Sequence, residues 1–237
     1  MVAVMQARGL TRHFGGLRAV DTVDFDLEAG EIHALIGPNG AGKTTFVSLL
    51  SGRIDPQAGS ITLAGEDITR LPAHERVKKG IAYTFQITSI YPKLTVFDNV
   101  ALAAQSAGGP DLAGRVRAAL SRVNLAGLDR EIAGNLSYGH QRLLELAMGL
   151  ALRPKVLILD EPTQGLAASE IEGFAALVRS LVPQTTVLLI EHNMELVMQL
   201  AQRITVLNFG QVLASGTVDE IRANRAVQDA YLGADHA

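Results

Sequence analysis

The chain has 237 residues, 48% of them hydrophobic, which is enough apolar material for one packed domain with a small subdomain. Its 21 basic and 24 acidic residues give a formal charge of −3, so no basic field argues for a nucleic-acid partner. The absence of cysteine excludes disulfides and thiolate metal sites, while the lack of a signal-peptide pattern or long apolar run predicts no membrane span.

Short apolar runs alternate with helical patterns, which predicts an α/β fold. Residues 31–36 (EIHALI) predict a buried strand that leads directly into glycines, and residues 156–159 (VLIL) and 185–190 (TTVLLI) predict two more. An amphipathic helix lies between the last two strands, with Ser169 and Glu172 as its predicted capping box. This order of strand, helix and strand indicates a parallel sheet covered by helices.

The middle of the chain, about 87–152, has helical patterns and no strong strand, and we interpret it as an inserted helical subdomain. Its three predicted helices span 96–104, 112–123 and 141–150, and a Gly-Gly-Pro break at 108–110 separates the first two. The tail after Arg203 predicts a short strand, a hairpin around Gly210, and helices up to Leu232.

A glycine-rich loop follows the first strand, and residues 37–45 (GPNGAGKTT) match the phosphate-loop pattern G-x-x-x-x-G-K-[ST]. A polyanion is bound by several backbone N–H groups at once, so side chains must be absent where the chain wraps it. Lys43 would place its charge on the β- and γ-phosphates, and the Thr44 hydroxyl would bind Mg²⁺. The predicted nucleotide-binding residues are Asn39, Gly40, Ala41, Gly42, Lys43, Thr44 and Thr45. The alternative is a chance glycine turn, which the strand before the loop and the helix after it disfavour.

Two adjacent carboxylates, Asp160 and Glu161, end the strand VLIL. Ligands of parallel α/β sheets collect beyond the carboxyl ends of the strands, so Asp160 is a candidate Mg²⁺ ligand and Glu161 a candidate general base for water attack. A pair of solvated acids at a strand end is the alternative. The presence of a base one residue beyond the metal-side aspartate favours hydrolysis over transfer to a bound acceptor.

With these two sites placed, the chain resembles the ATP-binding subunits of ABC transporters over nearly its whole length. Residues 136–141 (LSYGHQ) are similar to the family signature, usually LSGGQ, although a plain helix cap by Ser137 is the alternative. The resemblance implies one ABC ATPase domain over 1–237, with a mostly parallel P-loop NTPase core, an antiparallel β subdomain and the helical insertion. It also implies a head-to-tail dimer in which Ser137 and Gly139 close the ATP site of the facing subunit.

The resemblance assigns four further residues by their order and spacing. Gln86 matches the family glutamine that senses Mg²⁺ and the γ-phosphate, and His192 matches the switch histidine that contacts that phosphate. Together with Glu161 and Lys43, these residues form the implied catalytic set. Phe14 matches the aromatic residue that stacks on adenine, with Val20 beside it.

The sequence departs from the family pattern at four positions. Tyr138 replaces a glycine and His140 replaces the glutamine of the signature. Ala167 stands where the family has an aspartate that couples the two ATP sites across the dimer, which puts that coupling in doubt. Asn193, often aspartate, is a milder change.

Five segments are similar to the ATP subunits of branched-chain amino-acid importers and of the related urea and short-chain amide importers: 14–20, 83–86, 99–102, 190–194 and 230–233. The resemblance implies transmembrane permease subunits, an indirect extracytoplasmic substrate-binding protein, and a peripheral place on the cytoplasmic face of the inner membrane. Residues 91–96 would lie near the permease, or would equally be local core.

Other classes are less consistent with the residues. A soluble or regulatory ABC ATPase of translation or DNA repair would usually carry two ATPase units or a long coiled-coil insertion, and this chain has neither. A kinase or GTPase would lack the Glu161 base and the signature. A binding-only pseudo-ATPase stays open because of Ala167.

Overall fold

The computed structural model describes residues 2–84, 89–106 and 108–232, which form two sheets and their covering helices. The ten strands of this part of the chain are β1 Ala3–Phe14, β2 Leu17–Glu28, β3 Ile32–Ile36, β4 Ala58–Leu63, β5 Glu66–Asp67, β6 Ile81–Thr84, β7 Val156–Asp160, β8 Thr186–Ile190, β9 Arg203–Asn208 and β10 Gln211–Thr217. The α-helices described are α1 Lys43–Leu50, α2 Ala73–Lys79, α3 Val96–Ser106, α4 Leu112–Arg122, α5 Tyr138–Ala151, α6 Ala168–Leu181, α7 Met194–Leu200, α8 Val218–Ala223 and α9 Arg225–Leu232.

The larger sheet has six strands in the order β10-β9-β3-β8-β7-β6, and only the β9–β10 pair is antiparallel. Every residue of β3, β7 and β8 is buried. Parallel strands covered on both faces read as continuous apolar runs, which explains why all three were visible in the sequence. The prediction of a parallel core sheet is therefore confirmed.

The smaller sheet is antiparallel, with the order β2-β1-β4-β5, and its strands were not individually predicted. It packs on the helix that follows the glycine-rich loop. Phe25 of β2 meets Phe46 of α1 edge-to-face, with ring centroids 5.4 Å apart. Buried side chains of α1 share one core with residues of both sheets, so α1, and the loop before it, lies between them.

Three helices, α3, α4 and α5, occupy the stretch between β6 and β7, as predicted. The first of them runs to Ser106 and the last begins at Tyr138, so both are longer than the sequence pattern indicated. Their buried side chains join those of the sheet and α6 in one apolar core that includes Val96, Leu144, Leu157 and Phe174. That shared core holds the start of α5 against the loops that follow the central strands.

The predicted capping box at Ser169 and Glu172 is wrong. Helix α6 has Ala167 as its N-cap, and Glu170 reaches back so that its Oε2 accepts the Ala167 N–H at 2.9 Å. Ser169 already lies inside the first turn, where its hydroxyl cannot take the capping position.

The tail folds as predicted, with β9, the hairpin at Gly210, β10, and helices α8 and α9. Among the helices of the described ranges, none is long and apolar enough to cross a bilayer.

Candidate active site

The glycine-rich loop is packed tightly at both of its ends. A Cβ on Gly37 would lie 2.2 Å from the Leu207 carbonyl oxygen, and one on Gly42 would lie 2.1 Å from the Ala19 carbonyl oxygen. Both residues also have positive φ, 152° and 101°. Only glycine satisfies these two constraints together, so the motif spacing follows from the packing of the loop against β9 and β2.

Lys43 lies within the loop and is largely buried. Its Nζ donates to the Gly37 carbonyl at 2.5 Å and to the Pro38 carbonyl at 3.1 Å. Burial lowers the pKa of Lys43, while the charges of Glu161 and Asp160 raise it. The ammonium group is therefore within electrostatic reach of both carboxylates, which places the loop and the acidic pair in one site.

The start of α1 presents backbone donors at the same place. The Phe46 N–H bonds to the Gly42 carbonyl at 2.8 Å and opens the helical ladder. The N–H groups of Lys43, Thr44 and Thr45 precede that bond and so have no acceptor within the helix. With Thr44 exposed and Thr45 half-buried, this helix end is accessible to a phosphate.

Asp160 ends β7, and the neighbouring strand β6 supplies its partner. The Tyr83 hydroxyl donates to Asp160 Oδ2 at 2.5 Å, and the Arg53 guanidinium lies 5.2 Å from the Tyr83 ring centroid. Burial raises the pKa of Asp160, whereas the Tyr83 hydrogen bond lowers it. Burial and Asp160 raise the pKa of Tyr83, so the tyrosine remains a donor. Sequence reasoning missed this role, although Tyr83 lies near the end of a strand that pairs with β7.

Glu161 and His192 are brought together by the ends of two adjacent strands. The Glu161 N–H donates to the Ile190 carbonyl at 2.8 Å, and the glutamate has a positive φ of 47°. Its Oε1 contacts the His192 Nε2. A left-handed conformation is unusual for glutamate, and such backbone strain concentrates at functional sites. The imidazole is about half exposed and the carboxylate mostly buried, so the pair faces the mouth of the site.

A second buried glutamate, Glu191, was not singled out from the sequence. Its Oε1 accepts the Thr163 N–H at 3.1 Å and the Thr163 hydroxyl at 2.5 Å. Its Oε2 accepts the N–H of His192 at 3.1 Å and that of Asn193 at 3.4 Å. The one carboxylate thus joins the segment after the acidic pair to the segment that carries His192. An acid at the end of a fully apolar strand was the only available signal.

The signature residues lie at the start of α5. Ser137 is the N-cap, and its hydroxyl oxygen accepts the His140 N–H at 3.3 Å. Among the hydrogen bonds described for residues 2–84, 89–106 and 108–232, none joins Ser137 or Gly139 to residues 37–45. The exposed end of α5 therefore makes no described hydrogen bond to the phosphate loop of its own chain.

The other predicted nucleotide contacts differ in accessibility. Phe14 is 46% exposed, and the Arg12 guanidinium lies 4.9 Å from its ring centroid. Val20 is fully buried in the core, so of this pair only Phe14 offers surface to a ligand. Gln86 lies outside the described residues.

The donor set near the loop suits Mg²⁺ bound together with phosphates. Within the described residues no group of three His, Asp or Glu side chains could hold a metal by itself. The Asp160 carboxylate and the Thr44 hydroxyl are hard oxygen donors, and Mg²⁺ commonly takes one or two such ligands and completes its shell with phosphate oxygens and water. The residues present therefore fit this ion.

A phosphate loop after one parallel strand and a carboxylate pair at the end of another define a P-loop nucleotide-binding protein. Residues 20–164 match the family model described as ABC transporter, and the chain belongs to this family as an ATP-binding, ATP-hydrolysing subunit. Residues 211–237 match a second model, described as Branched-chain amino acid ATP-binding cassette transporter. The predicted family and fold class are confirmed.

Individual relatives agree with this assignment. The chain is 39% identical to the high-affinity branched-chain amino acid transport ATP-binding protein BraF of Pseudomonas aeruginosa, over 97% of this chain and 98% of that protein. It superposes on the ADP conformation of an ATP-binding cassette of an ABC transporter with a TM-score of 0.90 and 25% identity, covering 98% and 100% of the two chains. A dimeric bacterial ABC transporter cassette, at 23% identity and a TM-score of 0.81 over 90% and 98% of the chains, shares the fold.

Proposed function

We propose that this subunit powers the uptake of branched-chain amino acids, or of related small amides, through separate membrane subunits. The observation that carries the proposal is the match of residues 211–237 to the branched-chain amino acid cassette model, outside the region common to ABC transporters. The near full-length similarity to a branched-chain amino acid transport protein supports it. The substrate itself never contacts this chain, so the proposal rests on the branch of the family.

The chemistry that we assign to the site is hydrolysis of the γ-phosphate bond of ATP. Residues 39–45 hold the phosphates, with Lys43 neutralising charge as it spreads over the transferred group. Thr44, Asp160 and Gln86 would hold Mg²⁺, which supplies charge neutralisation at the β- and γ-phosphates. Glu161 accepts a proton from the attacking water while the water oxygen bonds to the γ-phosphorus. The bond between the γ-phosphorus and the ADP oxygen breaks, and ADP leaves. His192 contacts the Glu161 carboxylate and orients it.

We further propose that the working form is a head-to-tail dimer, homomeric or with a paralogous ATPase. The exposed start of α5, which no described hydrogen bond joins to the phosphate loop of its own chain, supports this arrangement, because it can then bind the ATP of the facing subunit. Phe14 would stack on adenine, with Val20 beside it. In this assignment the whole chain is one ATPase domain in which residues 87–152 form the signature subdomain.

The place of action that we propose is the cytoplasmic face of the inner membrane. The subunit would dock peripherally on permease subunits, with an extracytoplasmic substrate-binding protein as its indirect partner. Closing and reopening of the dimer would then drive the permease between its inward and outward states.

Glu161→Gln tests the assigned base. We expect ATP hydrolysis to fall by at least about 100-fold, because a positioned general base contributes on that order, while ATP binding persists and an ATP-bound dimer accumulates. Phosphate release and size-exclusion chromatography measure the two effects. Glu172→Gln, an exposed acid on α6, is the matched control. Normal hydrolysis by Glu161→Gln would remove the glutamate from this role.

The transported substrate is tested in vesicles that contain the chain with its co-purified membrane subunits and binding protein. We expect ATP-dependent uptake of radiolabelled leucine, abolished by Lys43→Ala. Uptake of urea or a short-chain amide without leucine would replace the amino-acid assignment by the amide one, and uptake of neither would refute both.

A further inference from the structure

The start of α5 packs directly on the segment that follows the acidic pair in the same chain. The Tyr138 hydroxyl donates to the Gln164 carbonyl at 3.1 Å. The next residue, Gly165, has a φ of +82°, and a Cβ placed there would lie 3.0 Å from Cε1 of the Tyr138 ring. The tyrosine ring therefore lies against the backbone at Gly165 while its hydroxyl bonds one residue earlier.

A second contact joins the next signature residue to the start of α6. A Cβ on Gly139 would lie 2.2 Å from Glu170 Oε1, so the carboxylate approaches the helix backbone closely. The other oxygen of Glu170 accepts the Ala167 N–H at 2.9 Å. Two adjacent residues of α5 thus touch two points of one short segment, 164–170.

Through these contacts and a few peptide bonds, the candidate base is connected to the exposed start of α5 within one chain. Glu161, the candidate base, is three residues before Gln164, and Ser137, the exposed helix cap, is directly before Tyr138. Ala167 has only a methyl side chain, and its N–H is bound to Glu170. The hydrogen bond from the Tyr138 hydroxyl to the Gln164 carbonyl is the described polar contact of this segment with the signature, and it lies within one chain.

We propose that Tyr138 is a positioning residue that couples the loop after Glu161 to the signature end of the same subunit. The proposal rests on the proposed dimer, in which that end closes the facing subunit's ATP site. A shift of the loop at one ATP site then moves Ser137 against the other ATP. The tyrosine that replaces a signature glycine thereby supplies, within a subunit, coupling that Ala167 cannot supply through its side chain.

Tyr138→Phe in the full chain tests the coupling, because it removes the hydroxyl and keeps the ring. We expect kcat to fall about fivefold, the ratio that one hydrogen bond of ordinary strength supports, and the Hill coefficient for ATP to fall towards one. The dissociation constant of ADP for the subunit, measured by calorimetry, should stay unchanged, because the phosphate loop is not altered. Gly173→Ala, at an exposed position of α6 where a Cβ meets nothing within 4 Å, is the control and should leave all three values unchanged.

The outcomes separate the coupling from the proposed dimer. An unchanged Hill coefficient in Tyr138→Phe, with or without a lower kcat, overturns the coupling. A parallel loss of ADP affinity and melting temperature also overturns it, because that result would indicate a merely structural role. Hydrolysis by the unaltered chain without cooperativity also overturns it but leaves the ATPase assignment intact. Failure of Glu161→Gln to accumulate an ATP-bound dimer removes the dimer itself.

Discussion

Glu191→Gln is expected to lower both the stability and the turnover of the protein. Glu191 is 4% exposed, and its two oxygens accept hydrogen bonds from Thr163 on one side and from the N–H groups of His192 and Asn193 on the other. Glutamine is nearly isosteric but carries an NH₂ in place of one oxygen. If the NH₂ faces His192 and Asn193, two backbone N–H groups face a donor. If it faces Thr163, the Thr163 hydroxyl can turn and accept, but the Thr163 N–H still faces a donor.

The magnitude follows from the contacts that are lost. Hydrogen bonds to a charged group contribute about 1.5–3 kcal/mol each, and part of the loss is recovered by relaxation of the amide, so we expect the free energy of unfolding to fall by about 3 kcal/mol. The bond that anchors the His192 N–H loses its charged acceptor. We expect the activation free energy to rise by about 1.4 kcal/mol, which corresponds to a tenfold lower kcat. The affinity for nucleotide should change little, because the phosphate loop lies elsewhere in the site.

Urea denaturation followed by far-UV circular dichroism measures the stability, since the chain has no tryptophan to report by fluorescence. Steady-state phosphate release measures kcat. Glu195→Gln, an exposed acid in the first turn of α7, is the matched control and should cost less than about 1 kcal/mol. A change below about 1 kcal/mol with kcat within twofold of the parent would refute the idea that Glu191 holds the two segments together.

Two further changes test the framework of the site. Arg76 is fully buried, donates to the carbonyls at the C-terminal end of α1, and has a pKa lowered by burial to about 10, so it stays charged at neutral pH. Arg76→Met should lower the free energy of unfolding by about 4 kcal/mol in urea titrations, because it leaves buried carbonyls without donors; a loss under about 1 kcal/mol would contradict this. A Cβ at Gly42 would collide with the Ala19 carbonyl oxygen, whereas one at Gly40 meets nothing within 4 Å, so Gly42→Ala should weaken ADP binding far more than Gly40→Ala. Equal losses of ADP affinity, measured by calorimetry, would show that the backbone conformation alone matters.

The sequence predicted those parts of the fold whose patterns are local. Strands β3, β7 and β8 are fully buried and mostly apolar because both faces of the parallel sheet are covered. The phosphate loop was equally clear, since the close approach of Gly37 and Gly42 to neighbouring backbone permits few other residues. Family resemblance added the antiparallel sheet, which the pattern of β1 and β2 alone did not reveal.

What remained hidden depends on contacts between distant segments. Tyr83 and Asp160 are 77 residues apart in sequence and meet because β6 and β7 pair in register. Glu191 reaches Thr163 across the ends of two neighbouring strands. At α6, the sequence pattern indicated Ser169 and Glu172, whereas the helix begins after Ala167 and Glu170 accepts the Ala167 N–H. No single-sequence pattern carries these choices.

The segment after Glu161 is hydrogen-bonded both to the segment that carries His192 and to the start of α5. Its start is bound through Thr163 to Glu191, whose other oxygen holds the His192 backbone. Its middle is bound to Tyr138 at the signature. Because the segment is hydrogen-bonded at both places, we expect a change in the backbone conformation of Glu161 to disturb at least one of these contacts. We therefore expect that a change of charge at the γ-phosphate that moves Glu161 would shift both the His192 backbone and the start of α5.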